Sequence, residues 1–508
     1  MSKICCTFAL AFDKEDISRS RAVVARQAHN LKVGGSIPSS ATKCNIYLKS
    51  KGFCFFESHM RVCVYGIFVV NQYKILYNMK KGLISFFCLV LSLSIWSIER
   101  VTLEELQADW SKYSNQMVSL TTPLVVCGSF YDSLILAPER LFCPEELAVG
   151  LADGDSTMYY RIVAQNKSNS ICVHCRNNYY EVRTGDIIKG LTARVTSERH
   201  LLTGKSIRTK HMAQPKLAKK NADVLRVVGA NIENYFADLG GYATRRTTLE
   251  QQKMKTHKVV QALYKMDADI FAICEIQQGD KAPQMLLAAL NKRGNKYGYV
   301  QMGLPDKDRI SSGYIYNKER VRPYNKWLTG YQTTWDYYHT RIIAQGFEQL
   351  DKKGNPTGKR MIVSVNHFKS KRAGREQYDT NQRRLTNADS LLVMLPKAVV
   401  HFGDEDILLM GDYNCYTQEQ PIQKIVRAGY TDMLQIYCQG DYSYNFRGEA
   451  GFLDRCFASP SMTEQIVRVM PWHVNTDWYY SHGAYKMRDK SLHRYADHDP
   501  IIVDIELK

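Results

Sequence analysis

The sequence predicts an α/β protein in which a two-sheet α/β sandwich over residues 222–508 follows a small all-β domain over residues 99–207. Two observations predict this class. Before residue 207, short β-rich runs are separated by polar or Gly-Asp turns. After residue 224, compact apolar runs alternate with stretches of helical period. A basic segment over residues 208–221 contains a proline and shows no apolar period, which predicts a linker between the two domains.

Composition limits the class of protein further. The chain has 508 residues, 45% of them hydrophobic and 23% charged, which excludes a mainly disordered, collagen-like or disulfide-scaffold chain. Lys and Arg number 68 against 50 Asp and Glu, giving a net charge of +18. Such a charge favours an anionic partner such as nucleic acid, and solubility alone is the alternative explanation.

The first 98 residues are not expected to belong to the folded domains. Residues 79–98 combine two lysines, a short apolar run and small residues near its end, which is typical of a secretory signal peptide. The alternative to a signal peptide is a membrane-spanning helix, but the apolar run is shorter than the ~20 residues that such a helix needs. Residues 1–78 are expected to be a mis-called or disordered extension, because Gly35-Ser36-Ile37-Pro38 resembles an accidental translation of a tRNA gene.

Within 99–207 the β-rich runs are short and closely spaced, which favours a small OB-like fold. The runs are TTPLVVCGSFY, MYYRIVAQ, SICVHC, YYEVRTGDIIKGL and ARVTS. Cys172 and Cys175 have the spacing of half a zinc site, but no second CxxC or HxxxH follows. Disulfides or free buried thiols are therefore favoured over zinc.

In the C-terminal domain, the apolar runs predict buried strands, and apolar residues at helical spacing predict helices over 252–266 and 384–395, the second ending at Pro396. The predicted strands are VLRVVGA, DIFAICEI, GYIYN, MIVSVNH, DILLMGD, FLDRCFA and PIIVDIEL.

Polar residues follow these apolar strands directly. They are Asn231, Glu233, Glu275, His367, Asp412, Asn414, Asp454, Asp497, His498 and Asp499. A single one is usually a turn former or a helix cap. If all converge, the crowded carboxylates require a cation, and oxygen ligands suit Mg²⁺ or Ca²⁺. Carboxylates, a hard cation, Asn and His together suit phosphoester hydrolysis.

The ordered blocks NIEN, CEIQ, NHFKSK, GDYN, LDR and YADHDP resemble the endonuclease/exonuclease/phosphatase superfamily over about 222–508, and are most similar to secreted bacterial nucleases. The resemblance implies a deoxyribonuclease I-like sandwich. Two positions depart from the pattern. Ala496 replaces the usual Ser, which would loosen a hydrogen bond next to the site, and Arg455 replaces the subgroup's His. Neither change removes a residue expected to contact metal or substrate.

The resemblance also implies the ligands of a metal ion. Glu275 is the main ligand, with Asn231 and Glu233 beside it and Asp497 completing an acidic pocket. The expected ion is Mg²⁺, with Ca²⁺ and Mn²⁺ as alternatives.

Catalytic roles follow from the same resemblance. Asp412 orients or deprotonates the attacking water, and Asn414 hydrogen-bonds the phosphoryl oxygens. His498, oriented by Asp454, contacts the phosphate or transfers a proton, and His367 acts as general acid or phosphate ligand. The choice of base between Asp412 and His498 stays open.

Several basic and aromatic residues are candidates for substrate contact. Arg341 is expected to grip a phosphate, and the basic run after His367 is expected to attract the nucleic-acid backbone; its members are Lys369, Lys371, Arg372 and Arg375. Residues 323–340 are rich in aromatics that either stack on bases or pack beneath an insertion.

These features predict a secreted or periplasmic, bacterial, metal-dependent nuclease of low sequence specificity, with DNA favoured over RNA as substrate. One alternative is a phosphodiesterase or phosphatase acting on a lipid headgroup, nucleotide or inositol phosphate. The other is a non-catalytic nucleic-acid-binding protein.

Overall fold

The structure is a computed structural model that describes residues 98–508 except 131–132, 176–181, 198, 205–206, 214–215, 240–246, 301–308, 331–340, 373–379 and 480–489. The predicted extension 1–78 and, apart from Ile98, the predicted signal peptide 79–98 lie outside the described residues. Across the described ranges, none of the helices combines the length and apolar character that crossing a bilayer requires.

Residues 99–210 are β-rich and form one nine-stranded sheet. Numbered in chain order and given in their order across the sheet, its strands are β1 (Glu99–Val101), β2 (Met117–Leu120), β8 (Leu191–Val195), β9 (His200–Thr203), β6 (Ile171–Cys175), β4 (Ser133–Ala137), β3 (Leu124–Phe130), β7 (Ile187–Ile188) and β10 (Thr209–Lys210). Alternate residues of these strands, such as Leu134, Val173 and Leu201, form a separate apolar core. The OB-like topology stays a prediction.

The prediction that this region is all-β is wrong. It contains helices α1 (Leu103–Ala108), α2 (Pro144–Leu147) and α3 (Thr157–Asn169). The run MYYRIVAQ, predicted as a strand, lies inside α3. Its aromatic and β-branched residues favour a strand locally, but Asp155 accepts a hydrogen bond from Thr157 N at the start of the helix. In the helix, Asn166 also reaches Phe142 O at 2.9 Å.

Residues 225–505 form two six-stranded sheets, as predicted for a two-sheet sandwich. The strands of the first sheet, in order across it, are β13 (Tyr297–Tyr299), β14 (Ile310–Asn317), β12 (Ile270–Gln277), β11 (Leu225–Tyr235), β24 (Ile501–Ile505) and β23 (Ile466–Pro471). Those of the second are β15 (Val321–Thr329), β16 (Ile342–Leu350), β17 (Pro356–His367), β18 (Ile407–Asp412), β22 (Asp454–Ala458) and β19 (Thr431–Asp432). All seven predicted strand segments coincide with strands of these sheets.

The four longer helices of this region pack on the outer faces of the two sheets, giving a four-layer α/β/β/α sandwich. The α-helices are α4 (Leu249–Met266), α5 (Lys281–Leu290), α6 (Thr380–Phe402), α7 (Gln420–Arg427), α8 (Met433–Tyr437) and α9 (Pro460–Thr463). Short 3₁₀ turns occur at Leu151–Asp153 and Asn291–Arg293. The core between the sheets is apolar, with Val227 and Ile270 from one sheet and Val363 and Leu408 from the other.

The predicted end of a helix at Pro396 is wrong, because α6 continues through this residue to Phe402. A proline inside a helix removes one backbone hydrogen bond. The residues beyond it offset that loss, since Ala398 and Phe402 are buried in the core between α6 and its sheet.

The β-rich region is joined directly to the sandwich. A small sheet pairs β20 (Tyr444–Phe446) and β21 (Glu449–Gly451) of the sandwich with β5 (Leu141–Phe142) of the β-rich region. The segment predicted as a solvated linker also packs, since Lys220 lies 3.0 Å from the buried carboxylate of Asp269. The domain boundaries themselves stay predictions.

Candidate active site

Three predicted residues lie side by side at one end of the second sheet. His367 ends β17, and its register partner on the parallel strand β18 is Asp412. Asp412 is in turn paired with Asp454, the first residue of β22. Register partners point to the same face of a sheet, so an imidazole and two carboxylates share one small volume. All three side chains are buried.

The first sheet brings its strand ends to the same place. Asn231 Nδ2 donates to Glu275 Oε1 and to Asp412 Oδ2, both at 3.1 Å, and so connects the two sheets. Asn234 N donates to the other Glu275 oxygen at 2.8 Å. His367 Nε2 lies 3.8 Å from both Glu275 Oε1 and Asp412 Oδ2. Residues from five separate strands thus converge in one cleft, namely Asn231, Glu275, His367, Asp412 and Asp454.

The backbone at these strand ends is strained. Glu233, Glu275 and Asn414 have φ angles of 47°, 63° and 50°, in the left-handed region that non-glycine residues rarely adopt. Gly411, which precedes Asp412, has φ 128°, and a Cβ there would meet Asn366 O at 2.1 Å. Strain of this kind concentrates at functional sites, where surrounding contacts hold it in place.

His498 completes the cluster from the C-terminal loop. Its Nδ1 lies 2.8 Å from Asp454 Oδ2 and 3.9 Å from Asp412 Oδ2. The ring of Tyr444 packs on the imidazole with centroids 4.4 Å apart. Asn414 is held next to Asp412, since Asn414 N donates to Asp412 Oδ1 at 2.9 Å and Asn414 Nδ2 donates to Phe368 O at 3.1 Å.

Burial and nearby charges shift the pKa values of Asp412, His498 and His367 away from their usual values. Burial, reinforced by Asp454 and Glu275 and opposed by His498, raises the pKa of Asp412 to about 7. Although burial opposes it, the carboxylates of Asp454 and Asp412 raise the pKa of His498 well above its usual value. Burial, assisted by the positive charge of Arg341, lowers the pKa of His367 well below its usual value. These shifts favour the charged form of His498 and the neutral form of His367.

The donor atoms fit a divalent cation. Ligand atoms of Glu275, His367 and Asp412 lie within 4.8 Å of one another, as do those of Asp412, Asp454 and His498. Burial and the charge of Asp497 raise the pKa of Glu275, so these carboxylates resist ionisation together unless a cation offsets their repulsion. Carboxylate and amide oxygens are the ligands that hard divalent ions prefer.

The predicted phosphate contacts divide into two groups. Arg341 O accepts a hydrogen bond from His367 N at 2.7 Å, and Lys369 follows His367 by two residues, so both residues lie beside His367. Lys371 does not belong with them, because its Nζ forms an ion pair with Glu419 Oε2 at 2.6 Å. The prediction that Lys371 attracts nucleic acid is therefore not supported by its placement. Arg372 is exposed and Arg375 lies outside the described residues.

Within the aromatic segment 323–340, Trp327 packs against the core between the sheets. This placement agrees with the alternative that the aromatics pack within the protein rather than stack on bases. Tyr331, Trp335, Tyr337 and Tyr338 lie outside the described residues.

Sequence reasoning missed two residues that support the site. Lys255 is buried on the inner side of α4, and its Nζ lies 3.4 Å from Glu233 Oε2 and donates to Tyr495 O at 2.5 Å. The signal was a lysine four residues before Val259, on the buried side of the predicted helix. Tyr444 had no signal, because its contact with His498 joins strand β20 to a loop that is distant in sequence.

Comparison with known proteins agrees with this geometry. A model of the Endonuclease/Exonuclease/phosphatase family matches residues 231–491, which contain all of the predicted catalytic and metal-binding residues except Asp497 and His498. The chain belongs to this family.

Solved structures give further similarities. A Bacteroides vulgatus endonuclease/exonuclease/phosphatase is 15% identical, covering 56% of this chain and 99% of that chain with a TM-score of 0.39. A mannosyl-6-phosphatase from Bacteroides thetaiotaomicron is 18% identical over 55% and 98%, with a TM-score of 0.38. An AP endonuclease from Archaeoglobus fulgidus is 16% identical over 56% and 100%, with a TM-score of 0.38. A search of curated proteins found no match.

Proposed function

We propose that the protein is a divalent-metal-dependent nuclease that hydrolyses phosphodiester bonds with little sequence preference. Membership of the family supports a phosphoester hydrolase. The observation that carries the proposal is the row His367–Asp412–Asp454 with Glu275 and His498 beside it. This cluster combines a titratable carboxylate, two imidazoles and an acidic pocket in one cleft.

In this proposal Asp412 takes the proton of the attacking water. A pKa of about 7 gives Asp412 the basicity that a general base needs near neutral pH. His498 is unsuited to that role, because Asp454 and Asp412 hold it protonated. The charged His498 instead binds the phosphate or donates a proton, and this favours Asp412 in the choice that the sequence left open.

The remaining groups orient the substrate. Asn414 Nδ2 donates to Phe368 O at 3.1 Å and to Asp412 Oδ2 at 3.3 Å. In the proposal, the longer bond to Asp412 is exchanged for one to a phosphoryl oxygen as charge develops. Neutral His367 serves as a hydrogen-bonding partner of the phosphate. Arg341 and Lys369 supply positive charge at the edge of the cleft.

A divalent cation would be held by Glu275, Asn231 and Asp497, with Glu233 beside them, and we propose Mg²⁺. When bound, it supplies stabilisation of the negative charge that develops on the phosphoryl oxygens. Lys255 holds Glu233 in place through a buried ion pair, which limits the charge that the acidic pocket presents.

We propose DNA as the substrate and export as the destination. Without residues 1–78, which hold 11 Lys and Arg and 4 Asp and Glu, the chain still carries 57 Lys and Arg against 46 Asp and Glu, and this net charge of +11 favours a polyanion. The segment 79–98 has the composition of a signal peptide.

The test incubates the protein with supercoiled DNA, linear DNA, RNA and small phosphoesters, with Mg²⁺ or with EDTA. Nicking of supercoiled DNA that EDTA abolishes supports the proposal. Hydrolysis of small phosphoesters alone would favour a phosphatase, and binding without hydrolysis would favour a binding protein. The Asp412→Asn variant should be inactive, which excludes a contaminating nuclease.

A further inference from the structure

A second group of metal-binding side chains lies in the β-rich region, on neighbouring parallel strands. Cys172 on β6 is the register partner of His200 on β9, and His174 follows two residues after Cys172. Residues two apart on a strand share a face, so all three side chains lie on one side of the sheet. Their ligand atoms lie within 4.8 Å of one another.

The spacing of the two imidazoles suits one bound ion. His174 Nε2 and His200 Nδ1 are 3.2 Å apart. Two nitrogens bound to a tetrahedral zinc ion at about 2.0–2.1 Å lie roughly 3.3 Å from each other. An ion could therefore replace the hydrogen bond between the rings with little movement of either strand.

The environment of His174 supports this arrangement. Its Nδ1 lies 2.8 Å from the hydroxyl of Ser133, which is the register partner of His174 on β4. When Nδ1–H donates to that hydroxyl, Nε2 presents its lone pair toward His200 and Cys172. Metal-bound histidines commonly have their second ring nitrogen held in this way.

We propose that Cys172, His174 and His200 bind one Zn²⁺ ion, separately from the acidic catalytic cleft. One thiolate and two imidazoles select a borderline ion such as Zn²⁺, whereas the oxygen ligands around Glu275 select a hard ion. Three protein ligands leave a fourth position for water or another group.

The apparent CxxC pair does not form this site. Cys175 is buried on the opposite face of β6, in the core of the β-rich region with Val173 and Leu201. Cys172 and Cys175 therefore lie on opposite faces of β6. The third ligand is His200, 28 positions after Cys172.

The site also lies near the contact with the sandwich. Ile135, the register partner of Cys172 on β4, shares its face. A Cβ on Gly448 would lie 3.0 Å from Ile135 Cβ, so the loop between β20 and β21 packs against this face. A bound ion would tie β6 to β9 next to that contact.

The test uses the full chain, stripped with EDTA under reducing conditions and titrated with Co²⁺ as a spectroscopic substitute for Zn²⁺. Wild type is expected to show a thiolate-to-cobalt charge-transfer band. Cys172→Ala should abolish the band, whereas Cys175→Ala and Glu275→Gln should retain it. After zinc loading and dialysis, wild type should keep one more Zn²⁺ per chain than Cys172→Ala.

A second set of variants distinguishes loss of a metal ligand from misfolding. Ser133→Ala leaves the ligands in place and should weaken Zn²⁺ affinity by about 10–100-fold, measured by competition with a chelator. His200→Asn should weaken it further. Circular dichroism checks the fold of every variant, and Mg²⁺-dependent hydrolysis adds a second check for all of them except Glu275→Gln, which removes a proposed ligand of the catalytic ion. The absence of a thiolate band in wild type, or an unchanged band in a folded Cys172→Ala variant, would overturn the proposal.

Discussion

Glu146 of the β-rich region and Arg455 of the sandwich form a buried ion pair, with Glu146 Oε2 3.4 Å from Arg455 Nη2. Arg455 also pairs with Asp432 at 2.7 Å and donates to Phe452 O. The same Glu146 carboxylate accepts a hydrogen bond from Thr417 N at 3.1 Å. Arg455 therefore helps to attach the β-rich region to the sandwich, next to Asp454, for which a catalytic role is proposed above.

Glu146→Gln should lower the free energy of unfolding by about 3 kcal/mol. The guanidinium of Arg455 keeps Asp432 but loses a second buried carboxylate, and hydrogen bonds to charged groups contribute about 1.5–3 kcal/mol. Urea unfolding followed by tryptophan fluorescence measures the loss. The matched control is Glu104→Gln on the exposed side of α1, which should change stability by less than about 0.5 kcal/mol. Equal effects of the two changes would contradict a structural role for the ion pair.

Asp412→Asn should reduce kcat by about 10²–10⁴-fold, the usual contribution of a general base. The substitution keeps the shape of the side chain, and the neutral amide cannot take a proton from water. Rates of plasmid nicking under saturating Mg²⁺ measure the effect. Asp267→Asn is the control, because Asp267 is exposed in a left-handed conformation that Asn adopts readily. Wild-type turnover in the Asp412 variant would show that another group is the base.

Asp454→Asn should move the alkaline limb of the kcat/KM profile to lower pH. Asp454 is the largest contributor to the raised pKa of His498, so its removal lets His498 lose its proton at lower pH. If charged His498 is required, activity then falls earlier as pH rises. A pH profile that keeps its shape while activity drops would instead indicate a purely structural role for Asp454.

The sequence predicted the sandwich well because its strands are uniformly buried apolar runs. It also predicted which polar residues meet in the cleft, because they follow these runs directly, and their catalytic roles stay a prediction. It failed where a contact between distant segments overrides the local pattern. The run around Tyr159 has the composition of a strand but forms a helix, and α6 passes through Pro396 because the residues beyond it are buried. The tie between Glu146 and Arg455 joins positions 309 residues apart, and no local pattern marks such a pair.

The same limit applies to the basic run after His367, where residue type alone suggested four equivalent phosphate contacts. Lys369→Gln should reduce the slope of log K against log salt by about 1, because one phosphate contact is lost. Lys371→Gln should leave the slope unchanged, since Glu419 already pairs with that lysine. Binding of a DNA duplex in EDTA, measured at several salt concentrations, tests both changes. Equal slopes for the two variants would contradict this division.

His473 should make stability depend on alkaline pH. It is buried between Asp441 Oδ1 at 2.8 Å and Asp499 Oδ2 at 3.0 Å. Although burial opposes protonation, these hydrogen bonds raise the pKa of His473 to about 10. The folded state therefore binds this proton more tightly than the unfolded state, whose histidine pKa is about 6.5.

The resulting stabilisation is complete below about pH 6.5 and is lost as pH rises through about 10. The loss should be about 3–5 kcal/mol, because each unit of pKa difference corresponds to about 1.4 kcal/mol. Urea unfolding across this range should show the decline in wild type and in His257→Gln, whose histidine is exposed. His473→Gln should be less stable than wild type near neutral pH and should lose most of the decline. A decline of equal size in His473→Gln would assign the pH dependence to other groups.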